Sequence, residues 1–413
     1  MSKFNMVADH AIRPVEEDII FGANMEAQRA IKEVGFDKVI NSTIGALLDD
    51  NGKLITFKSV FEILRSLSDE GFAAYAPLRG LPSYLDASIK ATFGDYKPQG
   101  YIQAVATPGG SGAIRHAIWN YTNLGDEILT SDWYWAPYNT LASEHGRKVA
   151  TYTLFDDHGN FNSESFGNQV DALLEKQKRV LIIINSPAHN PTGFTLSVEQ
   201  WKDIIEIVKE KSINQQHRII LFVDAAYIDF CDDDTRQFFL LLGNLPYNIL
   251  SIVAFSMSKG YTFYGLRSGA IIGISSDEEI ANEFKNVCSY SNRGVWSSGT
   301  RSAMEVLIKI YEDQEVLHRV QGERAHYRDV LNKRAEAFVT NAEDIELGIC
   351  PYKDGFFISI PCNDPIKLSK ELQKDHAFLV PLKKGLRFAA CSVSLEKCNI
   401  TPKLIKDAML RLK

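Results

Sequence analysis

A lysine that lies among serines and near an arginine is the residue in this chain best suited to covalent chemistry. Residues 256–260 read Ser-Met-Ser-Lys-Gly, and Arg267 follows Lys259 by eight residues. Burial and neighbouring cations lower the pKa of a lysine, which exposes the free amine needed to form a Schiff base. Two serines and an arginine suit a phosphate group. A solvated lysine in a serine-rich turn is the common alternative, so the segment needs support from the rest of the chain.

A glycine-rich turn at 107–113 joins a predicted strand to a predicted helix. It reads Thr-Pro-Gly-Gly-Ser-Gly-Ala and includes Gly110 and Ser111. Glycines let backbone N–H groups approach an anion, and a helix N-terminus adds partial positive charge. No Gly-Lys-Ser/Thr follows, so this is not a Walker loop. The turn is weak evidence alone, because glycines also serve tight turns for structural reasons.

Three further strand ends carry side chains suited to holding a ring-shaped cofactor. Asp224 ends the apolar run 219–223 and could pair with a protonated ring nitrogen, while Tyr227 could reach the same ring through its hydroxyl. Asn190 begins an Asn-Pro-Thr-Gly turn and could bind a ring hydroxyl, and Trp135 could stack on the ring. The structural alternatives are a helix cap for Asp224, a common turn for Asn190 and core packing for Trp135.

The elements that must position these residues alternate between strand and helix from about residue 100 to 275. Such alternation predicts an α/β fold with a mostly parallel sheet covered on both faces. Ligands of such sheets bind beyond the carboxyl ends of the strands, which is where all five groups fall, so coincidence is a poor explanation. The apolar runs that predict strands are 101–106, 127–130, 149–154, 180–185, 218–224, 249–255 and 268–274.

Outside this region the pattern differs. Residues 1 to about 30 are predicted to be a polar arm without firm periodicity. After about residue 295 long helices and then short strands follow, which predicts a second, smaller α+β domain. The elements predicted outside the main sheet are a strand at 38–47, helices at 57–67, 299–311, 315–341 and 403–412, and strands at 355–360, 377–380 and 386–390.

Composition narrows the class of protein. The 413 residues are 45% hydrophobic and 23% charged, as in an ordinary globular protein long enough for two domains. A net charge of −7 argues against nucleic acid or an anionic membrane as partner. The first twenty residues contain no apolar signal core, and no apolar run has the length of a membrane span. Six scattered cysteines argue against a zinc site or a disulfide framework and favour the cytoplasm.

As an ordered set, these motifs resemble those of the fold-type I, pyridoxal-phosphate-dependent aminotransferases of class I/II, nearest the aspartate and aromatic aminotransferases. The resemblance runs from 41–45 to 386–388. It implies pyridoxal 5′-phosphate as cofactor and a homodimer with shared active sites. It also implies a large cofactor-binding domain at 56–304 and a small domain built from 1–55 and 305–413.

The resemblance assigns a role to each matching residue. Lys259 is similar to the lysine that binds the cofactor covalently and shuttles the proton, and Asp224 to the partner of the ring nitrogen. The other cofactor contacts it implies are Asn190 and Tyr227 on the ring's phenolate oxygen, Trp135 stacked on the ring, Gly110, Ser111, Ser256 and Arg267 around the phosphate, and Tyr75 on the neighbouring subunit's phosphate. The substrate contacts it implies are Arg387 on the α-carboxylate, Gly45 beside it, and Asn190.

One match to the family fails. In aspartate aminotransferases an arginine precedes an aromatic-Ser-Asn-Pro-Pro segment and binds the substrate's side-chain carboxylate. Here 287–294 reads Val-Cys-Ser-Tyr-Ser-Asn-Arg-Gly, so Val287 takes the arginine's place and Arg293 replaces a proline. If Arg293 points into the pocket, acidic donors are expected. If it stays outside, aromatic or broadly hydrophobic donors are favoured.

The expected activity is transfer of an amino group from an L-amino acid to a 2-oxo acid. A lyase that eliminates a β-substituent on the same scaffold is the first alternative, and the motifs do not separate the two. A ligand-sensing regulator with this fold is the second. Such a regulator needs an added DNA-binding domain, for which the predicted arm is too short and the net charge too acidic.

Overall fold

The computed structural model of the chain describes residues 6–12 and 19–412. The strands are β1 (Ile40–Ser42), β2 (Tyr101–Thr107), β3 (Glu127–Ser131), β4 (Lys148–Tyr152), β5 (Arg179–Asn185), β6 (Arg218–Asp224), β7 (Ile249–Ser256), β8 (Gly269–Ser275), β9 (Phe357–Pro361), β10 (Ala377–Pro381) and β11 (Gly385–Ala389). The helices are α1 (Ile19–Val34), α2 (Lys58–Arg65), α3 (Asp69–Ala73), α4 (Pro82–Phe93), α5 (Gly109–Tyr121), α6 (Pro137–Glu144), α7 (Ser163–Gln177), α8 (Val198–Ser212), α9 (Met257–Gly260), α10 (Glu278–Val295), α11 (Arg301–Glu312), α12 (Gln314–Asp344), α13 (Pro365–Gln373) and α14 (Leu395–Arg411).

Seven strands form the larger sheet in the order β2-β8-β7-β6-β5-β3-β4. Only β8 runs antiparallel to its neighbours, so the prediction of a mostly parallel sheet is confirmed. Alternate residues of β6 face opposite sides, with Leu221 in one hydrophobic cluster and Phe222 in the other. Helices cover both faces, which explains why these strands read as continuous apolar runs.

Four strands form the smaller sheet in the order β1-β10-β11-β9. Strand β1 pairs in parallel with β10, and the other pairs are antiparallel. One strand thus comes from the N-terminal part of the chain and three from the C-terminal part, as expected for a small domain made of 1–55 and 305–413. The boundaries themselves stay a prediction.

Helix α12 contacts elements beside both sheets. Near its start, the Glu323 carboxylate accepts the backbone N–H groups of Lys58 and Ser59, at 2.6 and 3.1 Å, at the beginning of α2. Farther along, the Arg334 guanidinium donates to the carbonyl oxygens of Leu48 and Cys391, at 2.9 and 3.1 Å. The helix therefore links the start of α2 to the segments that follow β1 and β11.

Two predictions from the sequence were wrong, and the strand predicted at 38–47 forms only at Ile40–Ser42. The predicted N-terminal arm contains α1, whose buried Ala27 and Ala30 pack with Val39 and Phe378. Small residues at helical spacing were overlooked because they form a weaker apolar stripe than leucines would. The rest of the arm prediction partly concerns residues 1–5 and 13–18, which lie outside the described residues.

The last helix begins at Leu395 rather than 403, and it continues through Pro402.

Among the described residues, no helix is long and apolar enough to cross a membrane. The same part of the chain holds no group of three or more His, Cys, Asp or Glu side chains arranged to bind a metal ion. All six cysteines are free thiols, and five of them are buried.

Candidate active site

A cavity of about 260 Å³ opens at the carboxyl edge of the larger sheet and is closed on its other side by residues of the smaller sheet. The sequence-predicted residues that line it are Gly45, Gly110, Ser111, Trp135, Asn190, Asp224, Tyr227, Ser256, Lys259, Arg267 and Arg387. The strand-end residues therefore meet where the strand-end argument expected them. Gly45 and Arg387, which only the family resemblance indicated, join them from positions 342 residues apart.

Lys259 lies on the short helix α9, directly after β7. Its Nζ donates a hydrogen bond to the Gly45 carbonyl oxygen at 2.5 Å. Burial lowers the pKa of the Lys259 amine to about 8, and the charges of Arg387 and Arg267 act in the same direction. The sequence-based expectation of a lowered lysine pKa is confirmed, and its main cause is desolvation.

Asp224 is a buried carboxylate at the end of β6. Burial raises the pKa of its carboxyl group, and the hydrogen bond from the Tyr138 hydroxyl to Oδ2, at 2.7 Å, opposes that rise. Asn185 fixes the same strand end by donating from Nδ2 to the Asp224 carbonyl oxygen at 2.8 Å. Asp224 is therefore a buried carboxylate with a fixed orientation, which suits pairing with a positively charged ring nitrogen.

Asn190 and Tyr227 lie side by side in the cavity wall. The Asn190 amide donates to the Tyr227 hydroxyl at 3.4 Å, and its backbone N–H donates to Asn185 Oδ1 at 2.6 Å. Burial raises the pKa of Tyr227 above its ordinary value, so its phenol stays protonated and can donate. Two neutral donors at one spot suit a ring oxygen that carries negative charge.

A serine–arginine corner, formed by Gly110, Ser111, Ser256, Ser258 and Arg267, lies where the N-terminus of α5 meets the lysine segment. Arg267 Nη1 donates to Ser258 Oγ at 3.1 Å and to the Tyr264 carbonyl oxygen at 3.0 Å. At Gly109, which has φ +69°, an added Cβ would lie 2.8 Å from Arg267 Nη2. Glycine is therefore required where the helix start approaches the guanidinium, a geometry that suits an anion.

A second corner, the Arg387 corner, is formed by Gly45, Phe357 and Arg387. The Arg387 guanidinium is buried, donates from Nη2 to the Thr43 carbonyl oxygen at 2.9 Å, and lies 4.3 Å from the centre of the Phe357 ring. A Cβ added to Gly45 would lie 2.9 Å from Phe357 Cζ, so this position also favours glycine. A buried guanidinium beside a narrow backbone segment suits a carboxylate.

Tyr75 and Arg293 do not line the cavity of their own chain. Tyr75 is 89% exposed, and its carbonyl oxygen accepts a hydrogen bond from Arg301. Arg293 is exposed near the end of α10 and donates to Ser297 Oγ at 2.8 Å. Val287 packs against the hydrophobic cluster on one face of the sheet. Within the described chain, the segment 287–294 thus supplies no cation to the cavity.

Four polar or aromatic residues that line the cavity or bond to its lining were given no role from the sequence: Asn185, Tyr138, Tyr264 and Phe357. Asn185 had a usable signal, because it ends an apolar run just as Asp224 does. Tyr138 lies three residues after Trp135, and the two rings meet edge to face with their centres 5.6 Å apart. Tyr264 and Phe357 carried no signal of their own.

This combination of a partly buried lysine, a buried carboxylate and two anion-suited corners on a mostly parallel sheet defines a pyridoxal-phosphate-dependent transferase of fold type I. Residues 37–401 match the family model described as aminotransferase class I and II, so the chain belongs to that family. Tyrosine aminotransferase of Rhizobium meliloti (strain 1021) is 26% identical, over 84% of this chain and 87% of its own. Cytoplasmic aspartate aminotransferase of Dictyostelium discoideum is 25% identical, over 73% of this chain and 69% of its own.

Solved structures agree with this assignment. An aminotransferase from Anaerococcus prevotii DSM 20548 superposes with a TM-score of 0.96 at 40% identity and covers 99% of this chain and 100% of its own. The aromatic-amino-acid aminotransferase of Burkholderia pseudomallei, covalently bound to pyridoxal phosphate, has a TM-score of 0.78 at 19% identity, with 98% and 100% covered, and supports the fold. The chain is an aminotransferase that uses pyridoxal 5′-phosphate, and these relatives give the lyase alternative no support.

The cavity fits this cofactor. It offers a buried anion in Asp224 for a pyridinium, paired donors for a ring oxygen, and the serine–arginine corner for a phosphate. The glycine at 109 leaves the room that the corner needs. One chain therefore supplies a partner for the ring nitrogen, the ring oxygen and the phosphate of the cofactor.

Proposed function

We propose that the enzyme transfers the amino group of an aromatic or other hydrophobic L-amino acid to a 2-oxo acid. The observation that carries this preference is the set of cations at the cavity, which among the described residues are Lys259, Arg267 and Arg387. Each has a role that does not involve the substrate's side chain. A second substrate carboxylate would therefore find no partner among the described residues of its own chain, and burial of an unpaired carboxylate is costly.

In this proposal the residues hold the cofactor by complementary charge. Asp224 would accept from the ring nitrogen, Asn190 and Tyr227 would donate to the ring oxygen, and Trp135 would stack on the ring. The serine–arginine corner binds the phosphate. The bound cofactor supplies a conjugated ring that accepts the electron pair released when the substrate's Cα–H bond breaks.

Lys259 moves the proton in the proposed reaction. Its amine, with a pKa of about 8, lies close to the range that suits a general base at neutral pH. When it removes the substrate's α-proton, a new N–H bond forms on Nζ and the amine becomes an ammonium ion. Arg387 binds the α-carboxylate and so orients the Cα–H bond towards Nζ.

We also propose a cytoplasmic homodimer whose partner completes each site. Tyr75 is exposed and does not line the cavity of its own chain. Phe72, Leu78 and Tyr290 are exposed apolar or aromatic side chains of the kind a subunit interface covers. Six free thiols suit a reducing compartment. Sedimentation equilibrium should give twice the mass of one chain.

A panel of amino donors with 2-oxoglutarate tests the substrate proposal. We expect kcat/KM for phenylalanine and tyrosine to exceed that for aspartate, and apolar donors to differ by roughly ten- to two-hundredfold per methylene. Arg293→Ala is the matched control and should leave this ranking unchanged. A higher kcat/KM for aspartate that collapses in Arg293→Ala would reverse the proposal. Oxo-acid release without any acceptor would instead indicate a lyase.

A further inference from the structure

The amine of Lys259 is surrounded by aromatic rings. Its Nζ lies 4.9 Å from the centre of the Tyr264 ring and 5.5 Å from the centres of the Tyr227 and Phe356 rings. The rings come from separate parts of the chain: the turn after β6, the loop after α9 and the residue before β9. The Gly45 carbonyl oxygen accepts from the same amine.

This environment acts on the charge state of the amine. Ring faces within about 6 Å attract a cation, and a carbonyl acceptor favours the ammonium form. Of the charged groups that face the amine, Asp224 also favours that form, whereas Arg267, Arg387 and burial oppose it. The nearby Cys391 thiol is held neutral, because burial raises its pKa to about 12. The rings thus offset part of the cost of a buried cation.

We propose that Tyr227, Tyr264, Phe356 and the Gly45 carbonyl form an aromatic cage that holds Lys259 as an ammonium ion while it carries the substrate's proton. Its use in the reaction rests on the proposed function, but the cage is a property of the chain without cofactor or substrate. In the proposed reaction Nζ would take the proton from the substrate's Cα, and the bound cofactor would supply the conjugated ring that accepts the electron pair. The cage stabilises the charge until that proton is returned.

Tyr264 has two separable contacts. Its hydroxyl accepts the Leu47 backbone N–H at 3.0 Å, which fixes the segment that carries Gly45, while its ring faces Lys259. Tyr264→Phe therefore removes the first contact and keeps the second. Tyr264→Leu removes both. The pair distinguishes a cage from a purely structural tyrosine.

The test measures Lys259 in the cofactor-free protein. Its rate of acetylation by acetic anhydride is followed from pH 6 to 11 by mass spectrometry of the peptide that contains it. Tyr264→Leu and Phe356→Leu should each lower the pH midpoint of labelling by roughly half a pH unit, because each loses one ring–cation attraction. Tyr264→Phe should keep the wild-type midpoint.

Circular dichroism identifies the variants that remain folded, and Tyr264→Leu decides alone if Phe356→Leu does not fold. An unchanged or raised midpoint in the folded leucine variants would overturn the cage. A midpoint that moves equally in Tyr264→Phe would assign the effect to the Leu47 contact and also overturn it. No substrate or cofactor enters this measurement, so a failed donor panel and a failed cage are separate results.

Discussion

The two corners of the cavity hold their arginines in different ways. In the serine–arginine corner, Arg267 is exposed and its partners Ser258 and Tyr264 lie within nine residues of it. In the Arg387 corner, Arg387 is 3% exposed and its carbonyl partner, Thr43, lies 344 residues away. Arg267 is thus held by its own short segment, whereas Arg387 finds its partner only when distant parts of the chain meet.

This difference has an electrostatic consequence. An exposed guanidinium acts through water and is screened by salt, whereas a buried one acts through a medium of lower effective dielectric constant. Arg267 should therefore bind its anion with help from Ser256, Ser258 and the start of α5. Arg387, packed against Phe357, should contribute more strongly per contact and depend less on ionic strength.

The largest expected effect is that of replacing Lys259, which lines the same cavity as the residues of both corners. Lys259→Ala should abolish the visible absorption of covalently attached cofactor and the half-reaction with an amino acid. Borohydride should fix the cofactor to the peptide that contains Lys259 in the wild type. The exposed Lys202→Ala is a control that should retain colour and activity. A coloured, active Lys259→Ala enzyme would show that Lys259 neither binds the cofactor covalently nor is required for the reaction.

Replacing Asp224 tests how much a buried charge in this cavity contributes to the rate. Asp224→Ala should reduce kcat by roughly a hundred- to a thousandfold, because preorganised charge is lost from a desolvated site. Tyr138→Phe is the milder control, since it keeps the carboxylate and removes the bond that lowers its pKa. The acid limb of its kcat/KM profile should therefore move to higher pH. A loss below tenfold in Asp224→Ala, with cofactor still bound, would make Asp224 a structural cap.

The smallest expected effects separate the corners directly. Arg267→Ala should weaken cofactor binding by roughly ten- to a hundredfold, and Arg387→Ala should raise KM for the amino donor by a similar factor, as expected for hydrogen bonds to charged groups. Cofactor affinity in Arg387→Ala should stay at the wild-type value. Cofactor titration and steady-state kinetics measure the two constants. If both variants lose cofactor and substrate binding alike, the corners are not independent.

The same contrast explains what could be predicted from the sequence. Asp224, Asn190 and Lys259 follow apolar strands, so the strand-end rule locates them without a structure. Arg387 and Gly45 were found only through family resemblance, because nothing local links positions 342 residues apart. Tyr138 and Phe356 were missed because they act through contacts across elements. Helix α1 was missed because its buried face is made of alanines.

The antiparallel strand β8 has a consequence for protein engineering. Because β8 returns beside β7, Ser256 pairs with Gly269, and the Met257 backbone N–H bonds the Ser268 carbonyl oxygen at 3.0 Å. Lys259 and Arg267 therefore lie on one loop whose two ends are joined by backbone pairing. New chain termini placed at the opposite edge of the sheet, such as the exposed turn at Ile213, would leave this loop whole. A circular permutant opened between 259 and 267 would instead separate the reactive amine from its neighbouring cation.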